Sequence, residues 1–454
     1  MSRIPLLFRI VFAVLLVVLV ATVVDGRRLF TLAQRWLGRE DAASAVVADA
    51  AAWATDTNGT IARLQARLKQ QPDDARSMTQ LGGAYLQKAR ETGDPSYYGR
   101  AEAVLKQALA RNPSDIDALG FMGSLALSRH QFREALQWGE KARAISPERA
   151  YTYGVLGDAH VELGEYAEAA DAIQAMMNRR PDLSSFSRVS YVRELHGDIP
   201  GAIDAMEQAI VSGGPNAENT AWATVQLGLL YFNQGQPDKA DAMFTSALAS
   251  YPGYIPAQAG RARVLAARGQ WDDAIALLRQ AVDTMPMPEY VILLGDVYMA
   301  AGRDAEAAQQ YDLVRAIQQL YKANGVEVDL ETALFDADHD HDLPNALASA
   351  RRGYADRPSI HGADVLAWTL LKAGQPGEAQ QMMQQALRLG TRDALMYYHA
   401  GMIALANGDS SQAETYLARA MEINPHFSVL QAPSALKVLD GLRTAKSGDE
   451  RKGS

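Results

Sequence analysis

The sequence predicts an all-α fold: an α-solenoid of stacked helices, preceded by an amino-terminal transmembrane or signal helix. Three observations carry this. Ala and Leu are abundant, while runs of Val, Ile and Thr are rare beyond the first 25 residues, which favours helix over strand. A motif recurs along the chain: Pro113, Pro147 and Pro181 stand 34 residues apart, as do Gly123 and Gly157, and Gly228 and Ala262. Hydrophobic residues make up 48% of the 454 and charged ones 21%, enough apolar surface for a folded array and too much for wholesale disorder.

The elements follow in order. Residues 1–28 are expected to be a transmembrane anchor or signal peptide. Arg3 and Arg9 precede an apolar run from Ile10 to Val24, and Arg27 and Arg28 follow it. With Ile4 to Phe8 the run approaches the ~20 residues a span needs. A cleaved signal peptide competes, but no A-x-A cleavage pattern appears, so a retained anchor is preferred. Arg27, Arg28, Arg35 and Arg39 pull toward a cytoplasmic array. The signal-like start pulls harder the other way, so a single-span membrane protein with an extracytoplasmic array is expected. Cleavage would leave it secreted or periplasmic. Residues 29–56 are Ala-rich and expected to form a helical linker.

The array is expected at 57–425. It opens with a half unit, TIARLQARLKQQP, ending at Pro72. The later units are exemplified by LGDAHVELGEYAEAADAIQAMMNRRP and LGLLYFNQGQPDKADAMFTSALASYP. These residues resemble the tetratricopeptide repeat family, in which each repeat is an antiparallel helix pair; the resemblance implies a right-handed α-solenoid of stacked antiparallel helix pairs. The family's packing glycine is matched by Gly82, Gly123, Gly157, Gly228, Gly295 and Gly401; Ser190, Ala262, Leu334 and Ala367 stand in its place elsewhere. Its small alanine is matched by Ala101, Ala135, Ala169, Ala202, Ala240, Ala274, Ala307, Ala346, Ala379 and Ala413, which gives about ten repeats. Small residues let paired helices approach, and Pro stops the second helix. A unit cannot bury its apolar face alone, so neighbours stack. Leu436, Leu439 and Leu442 then mark a capping helix within 426–444, and 445–454 is expected to be disordered.

The formal net charge of −9 repels phosphates, so nucleic acid is not an expected partner. The absence of Cys excludes disulfides, thiolate metal sites and cysteine nucleophiles. No phosphate loop, dinucleotide fingerprint, HExxH or GxSxG occurs. The predicted segments use the whole chain, leaving no stretch of ~100 residues for a catalytic domain. The protein is therefore expected not to be an enzyme, with no catalytic residues and no cofactor.

The segment DADHDHD, Asp336 to Asp342, invites a metal reading. His341, however, stands five residues before Ala346, the slot of Gly164, Gly197, Gly235, Gly269, Gly302, Gly374 and Gly408, and of His130. That slot is where the first helix ends in a left-handed residue. An interhelical turn is expected and no metal site is assigned; were a metal bound, Asp338, His339 and His341 would be the donors. In the resembled family the first helices line the concave face. The corresponding slots hold Tyr191, Trp222, Leu229, Phe232, Ile292, Met299, Phe335, Trp368, Tyr398 and Met402, with Asp117, Asp158, Glu194 and Asp296 adding acid. Aromatic and Met side chains carry binding energy at interfaces. The resemblance thus implies a groove for an extended or helical segment of another protein. The function expected is a membrane-tethered scaffold for protein–protein interaction or complex assembly. The alternatives are a secreted or periplasmic ligand or metal carrier, and a regulatory subunit of an enzyme in trans.

Overall fold

The computed structural model describes residues 56–213 and 217–452. The anchor or signal segment expected at 1–28 lies outside them, as does the linker expected at 29–56 except for Asp56. The described residues form 22 helices and no strand.

A single helix, α1 (Thr57–Gln70), is followed by ten helix pairs. The first five are α2 (Ala75–Thr92) with α3 (Ser96–Arg111), α4 (Ile116–Ser128) with α5 (Phe132–Ile145), α6 (Ala150–Glu162) with α7 (Tyr166–Arg179), α8 (Leu183–Leu195) with α9 (Ile199–Val211), and α10 (Ala217–Asn233) with α11 (Pro237–Ser250). The next five are α12 (Ile255–Ala267) with α13 (Trp271–Thr284), α14 (Pro288–Ala300) with α15 (Asp304–Ala323), α16 (Asp329–Asp338) with α17 (Leu343–Asp356), α18 (Ile360–Lys372) with α19 (Pro376–Ala386), and α20 (Ala394–Ala406) with α21 (Ser410–Ile423). A last helix, α22, spans Gln431–Lys452 and so runs through most of the stretch expected to be disordered.

Side-chain size sets the packing. All ten repeat alanines are buried. Phe244 on α11 is fully buried and its ring fits between Gly228 of its own pair and Gly260 of the next; a methyl on either glycine would lie 2.5–2.6 Å from the ring. Where Ser190 replaces the glycine, its buried hydroxyl donates to the Ala202 carbonyl at 2.7 Å, so the polar atom is satisfied. Asp74, Asp115, Asp182, Asp198, Ser359, Asp393 and Asp409 cap helix starts by accepting backbone N–H groups.

Neighbouring first helices touch along the array, α4 with α2 and α6, α8 with α6 and α10, α18 with α16 and α20, which puts them on the inside of the curve. The curvature is tight enough that successive turns of the superhelix meet. The interhelical turns of the first five pairs dock on the junctions between later pairs. The Tyr321 hydroxyl donates to the Gly93 carbonyl at 3.1 Å, and the Glu327 N–H donates to the Arg129 carbonyl at 2.9 Å. The Ile360 N–H donates to the Tyr166 hydroxyl at 2.8 Å, and the Thr391 hydroxyl donates to the Leu195 carbonyl. The partners in three of these contacts are 228, 194 and 196 positions apart, so roughly six repeats complete one turn. Buried apolar side chains join the seam: Val161, Tyr166 and Leu195 share a cluster with Ile360 and Met396.

The DADHDHD segment does form an interhelical turn, but the left-handed positions are Asp340 (φ 53°) and Asp342 (φ 38°), not His341. α16 ends at Asp338 and α17 begins at Leu343, so this turn is one residue longer than the others. Asp340 takes the glycine conformation, and the His341 N–H closes the helix end on the Asp336 carbonyl at 2.8 Å.

Candidate partner-binding inner face

Close packing of the turns divides the ten residues expected to line the groove. Phe232, Phe335, Trp368 and Tyr398 are buried. Trp222, Leu229, Ile292 and Met402 are half-buried and pack against neighbouring clusters. Tyr191 and Met299 stay open, at 37% and 38% exposure. Tyr151, 40% exposed, joins them on α6. It stands six residues before its packing glycine, the slot of Trp222, so the rule that found Trp222 should have found Tyr151 too.

Charges fill the space between these rings. Arg188 on α8 forks onto both oxygens of Asp158 at 2.8 and 2.6 Å. Burial opposes the guanidinium charge, but the Asp158 carboxylate outweighs it and holds Arg188 above its usual range. A cavity of about 160 Å³ lies beside this pair, lined also by Phe132, Glu162 and Tyr191. Arg357, from the next superhelical turn, pairs with Glu162 at 2.6 Å and Glu331 at 2.8 Å and sits 5.3 Å over the Phe132 ring. Nearer the start of the array, Arg90 on α2 reaches Glu218 on α10 at 3.2 Å, 128 positions on, and the Tyr254 hydroxyl donates to the same carboxylate. Two first helices almost four repeats apart thus stand one Arg and one Glu from each other. That leaves too little room there for a helix of ~10–12 Å diameter.

Glu194 on α8 has a different setting. Burial, and then the charge of Asp393, pushes its carboxyl up to about 7, with Asn233 offsetting part of the shift. Burial likewise raises Glu289 and lowers Arg263, which carry opposite charges in the same interior.

The His/Asp turn is knitted into the array residue by residue. Asp336 accepts from His341 Nδ1 at 3.1 Å, Asp340 pairs with Lys372, and Asp342 accepts from Asn345 at 2.7 Å. His339 holds Asp296 through Nε2 at 3.0 Å and the Phe335 carbonyl through Nδ1 at 2.7 Å. Asp338 accepts from Trp368 Nε1 at 2.9 Å and from Gln431 Nε2 at 2.7 Å. Among the described residues no group of three His, Asp or Glu is arranged to hold a metal ion. Nor is any described helix long and apolar enough to cross a membrane.

Gln431 exposes what slot counting missed. The stretch between α21 and α22 crosses the inner face of the last pairs. The Phe427 ring lies 5.5 Å from that of Tyr398, and Val429 packs against the cluster containing Tyr298 and Phe335. Trp368 and Tyr398 are buried in part because the chain's own carboxyl-terminal segment joins their cluster.

Fold and site together define a helix-pair solenoid whose inner face is aromatic and acidic and partly filled by its own side chains. Three models described as tetratricopeptide repeat match the chain, at residues 96–150 and 365–426, 150–175, and 231–291. Over these residues the chain carries tetratricopeptide repeats. Among curated relatives, cellulose synthase operon protein C of Komagataeibacter xylinus is 23% identical over 307 residues, 66% of this chain and 22% of the relative. Tetratricopeptide repeat protein 21A of Mus musculus is 24% identical over 315 residues, 63% of this chain and 23% of the relative. The chain thus spans less than a quarter of the length of these relatives. Among solved structures, yeast Tom70 is 12% identical, with 86% of this chain and 97% of that one covered, at a TM-score of 0.38.

Proposed function

We propose that this repeat scaffold binds a segment of another protein along its inner face, and that residues 1–28 tether it to a membrane. The observation that supports this most is the set Tyr151, Tyr191 and Met299, large side chains on first helices left 40%, 37% and 38% exposed. Glu194, buried and crowded by Asp393, suits a cationic side chain in the bound segment. The tether rests on the apolar run from Ile10 to Val24 between arginines.

The test is affinity capture of the full chain from membranes, with mass spectrometry of its partners and of its own amino terminus. Tyr191→Ala with Met299→Ala should lose the captured proteins while keeping the helical circular-dichroism spectrum. Unchanged capture by that folded variant would remove the inner-face reading. A second reading, service to an enzyme in trans, is favoured by the likeness to cellulose synthase operon protein C over 66% of the chain. Co-purification of one dominant enzyme would support it, and capture of several unrelated non-enzymes would count against it.

A further inference from the structure

Ile423 ends the last repeat, and the chain that follows turns inward. The Asn424 side-chain amide donates to the Phe232 carbonyl at 2.9 Å and fixes the start of the segment on an earlier superhelical turn. Three residues of the segment then touch the array. Phe427 sets its ring 5.5 Å from Tyr398, Val429 enters the cluster of Tyr298 and Phe335, and Gln431 donates to Asp338 at 2.7 Å. Between them the Ser428 hydroxyl accepts the Gln431 N–H at 3.1 Å, which holds the segment's shape from within.

The surface beneath is the one where the repeat pattern puts a ligand. Phe335 and Trp368 each follow the packing position of their pair directly, and Tyr398 stands one turn before Gly401. Asp338 gives this surface a polar anchor. One of its oxygens takes hydrogen bonds from Trp368 Nε1 and Gln431 Nε2 together. A carboxylate so covered needs donors, and Trp368 alone supplies only one. The segment is half-buried; its residues 427–430 lie between helices and Gln431 is the first residue of α22. Such segments open at lower cost than packed helices. α22 has its own buried contacts through Ala432, Ala435 and Leu439, so it can stay in place from Ala432 onward while the segment leaves and its first residue, Gln431, unwinds.

We propose that Phe427–Gln431 is a built-in ligand of the inner face. The last pairs bind a polypeptide segment that carries an aromatic side chain, an aliphatic one two residues on, and an amide donor two further on. Such a segment in a partner protein displaces the chain's own. This rests on the reading of the inner face as protein-binding, and it supplies the chemistry of what is bound there.

The experiment uses the full chain and a fluorescein-labelled peptide of residues 424–432, NPHFSVLQA. A tethered competitor acts at an effective concentration of ~mM, so the wild type should bind the probe at least about tenfold more weakly than the variant Phe427→Ser, Val429→Ser, Gln431→Ala. The same probe with its Phe replaced by Ala should bind neither protein. Hydrogen exchange on the wild type gives a second measurement that needs no variant: excess probe should speed exchange of residues 424–431 and leave α20 protected. A folded variant that binds no probe, or binds both probes equally, overturns the inference, as does a segment whose exchange the probe leaves unchanged. Partner capture by the wild type is a separate readout. If it persists while the probe fails, the inner-face reading stands and only the built-in ligand falls.

Discussion

Asn424 donates its side-chain amide to the backbone carbonyl of Phe232 at 2.9 Å, across 192 positions of sequence. No repeat pattern encodes that contact. It exists because each pair adds a small rotation and, after roughly six of them, the array meets itself. The inner surface is thereby divided into core, ion pairs and a few open rings. Several properties of the protein should trace to this seam.

The turn glycines should fall into two classes. Gly164 and Gly374 share the left-handed conformation, at φ 73° and 77°. Around Gly374 there is open space, whereas a methyl at Gly164 would collide with the Pro358 carbonyl of the next superhelical turn. Gly374→Ala should cost only the conformational penalty, ~1–2 kcal/mol. Gly164→Ala should add an overpacking term of ~1–3 kcal/mol, or open the seam. Urea unfolding reads the first, and an increased radius of gyration by X-ray scattering reads the second. Equal effects for the two variants would mean the turns do not touch in solution.

Arg357 should be the seam's most sensitive charge. It pairs with Glu162 and Glu331, and its own side chain and that of Glu162 are 20% and 18% exposed. Removing one partner of a largely buried pair typically costs ~3–5 kcal/mol, because the other charge stays behind. Arg357→Ala should therefore destabilise by about that much, and Arg357→Met with Glu162→Met by much less. A double-mutant cycle read by urea unfolding decides it; a coupling energy near zero would place this pair in water.

The repeating part of this structure was legible and the closing part was not. The alanines every 33–39 residues and the glycines opposite them mark the ten helix pairs, because small residues are required wherever two helices must approach. The burial of Phe232 and the exposure of Met299 were not legible, although both stand four residues after a packing glycine. What separates them lies outside the slot: Phe232 sits in the cluster of Ala221, Val225 and Phe244 with Arg263 5.9 Å from its ring, whereas Met299 is left 38% exposed. The glycine-like conformation of the His/Asp turn falls at Asp340, one residue before the slot that the repeat spacing gives, since a single inserted residue shifts the slot without changing its polar composition. The segment from Phe427 to Gln431 gave no signal, because a short irregular stretch carries no period to detect.

Titration of the protein with Zn²⁺ or Ni²⁺ should show no micromolar site at the His/Asp turn. Asp336, Asp338, Asp340 and Asp342 each hold a protein donor, and His339 is engaged through both ring nitrogens. Binding would have to break several of these contacts at once, with no preset geometry in return. Isothermal calorimetry with His339→Gln and His341→Gln as controls checks this. A micromolar site abolished by both variants would show that the turn rearranges to coordinate metal.

Glu194 should give the array a pH-dependent stability of definite sign. Burial and the neighbouring Asp393 raise its carboxyl from an ordinary 4.5 to about 7. Between these values the unfolded chain has lost the proton and the folded chain still holds it, so stability falls as pH rises. Below 4.5 both states are protonated and the penalty vanishes; above 7 both are ionised and it is complete. At ~1.4 kcal/mol per unit, the full effect is at most about 2–3 kcal/mol after allowing for the partial exposure of the group. Glu194→Gln should leave stability unchanged near pH 4 and raise it near pH 8, as read by urea unfolding at the two pH values. A cationic residue of a bound segment would stabilise the carboxylate and release its proton. Partner affinity should then rise from pH 5 to pH 8 in the wild type and stay flat in Glu194→Gln. A variant less stable than the wild type at pH 8 would mean that Glu194 already has a cation beside it, and that the inner face offers no charge for a partner to neutralise.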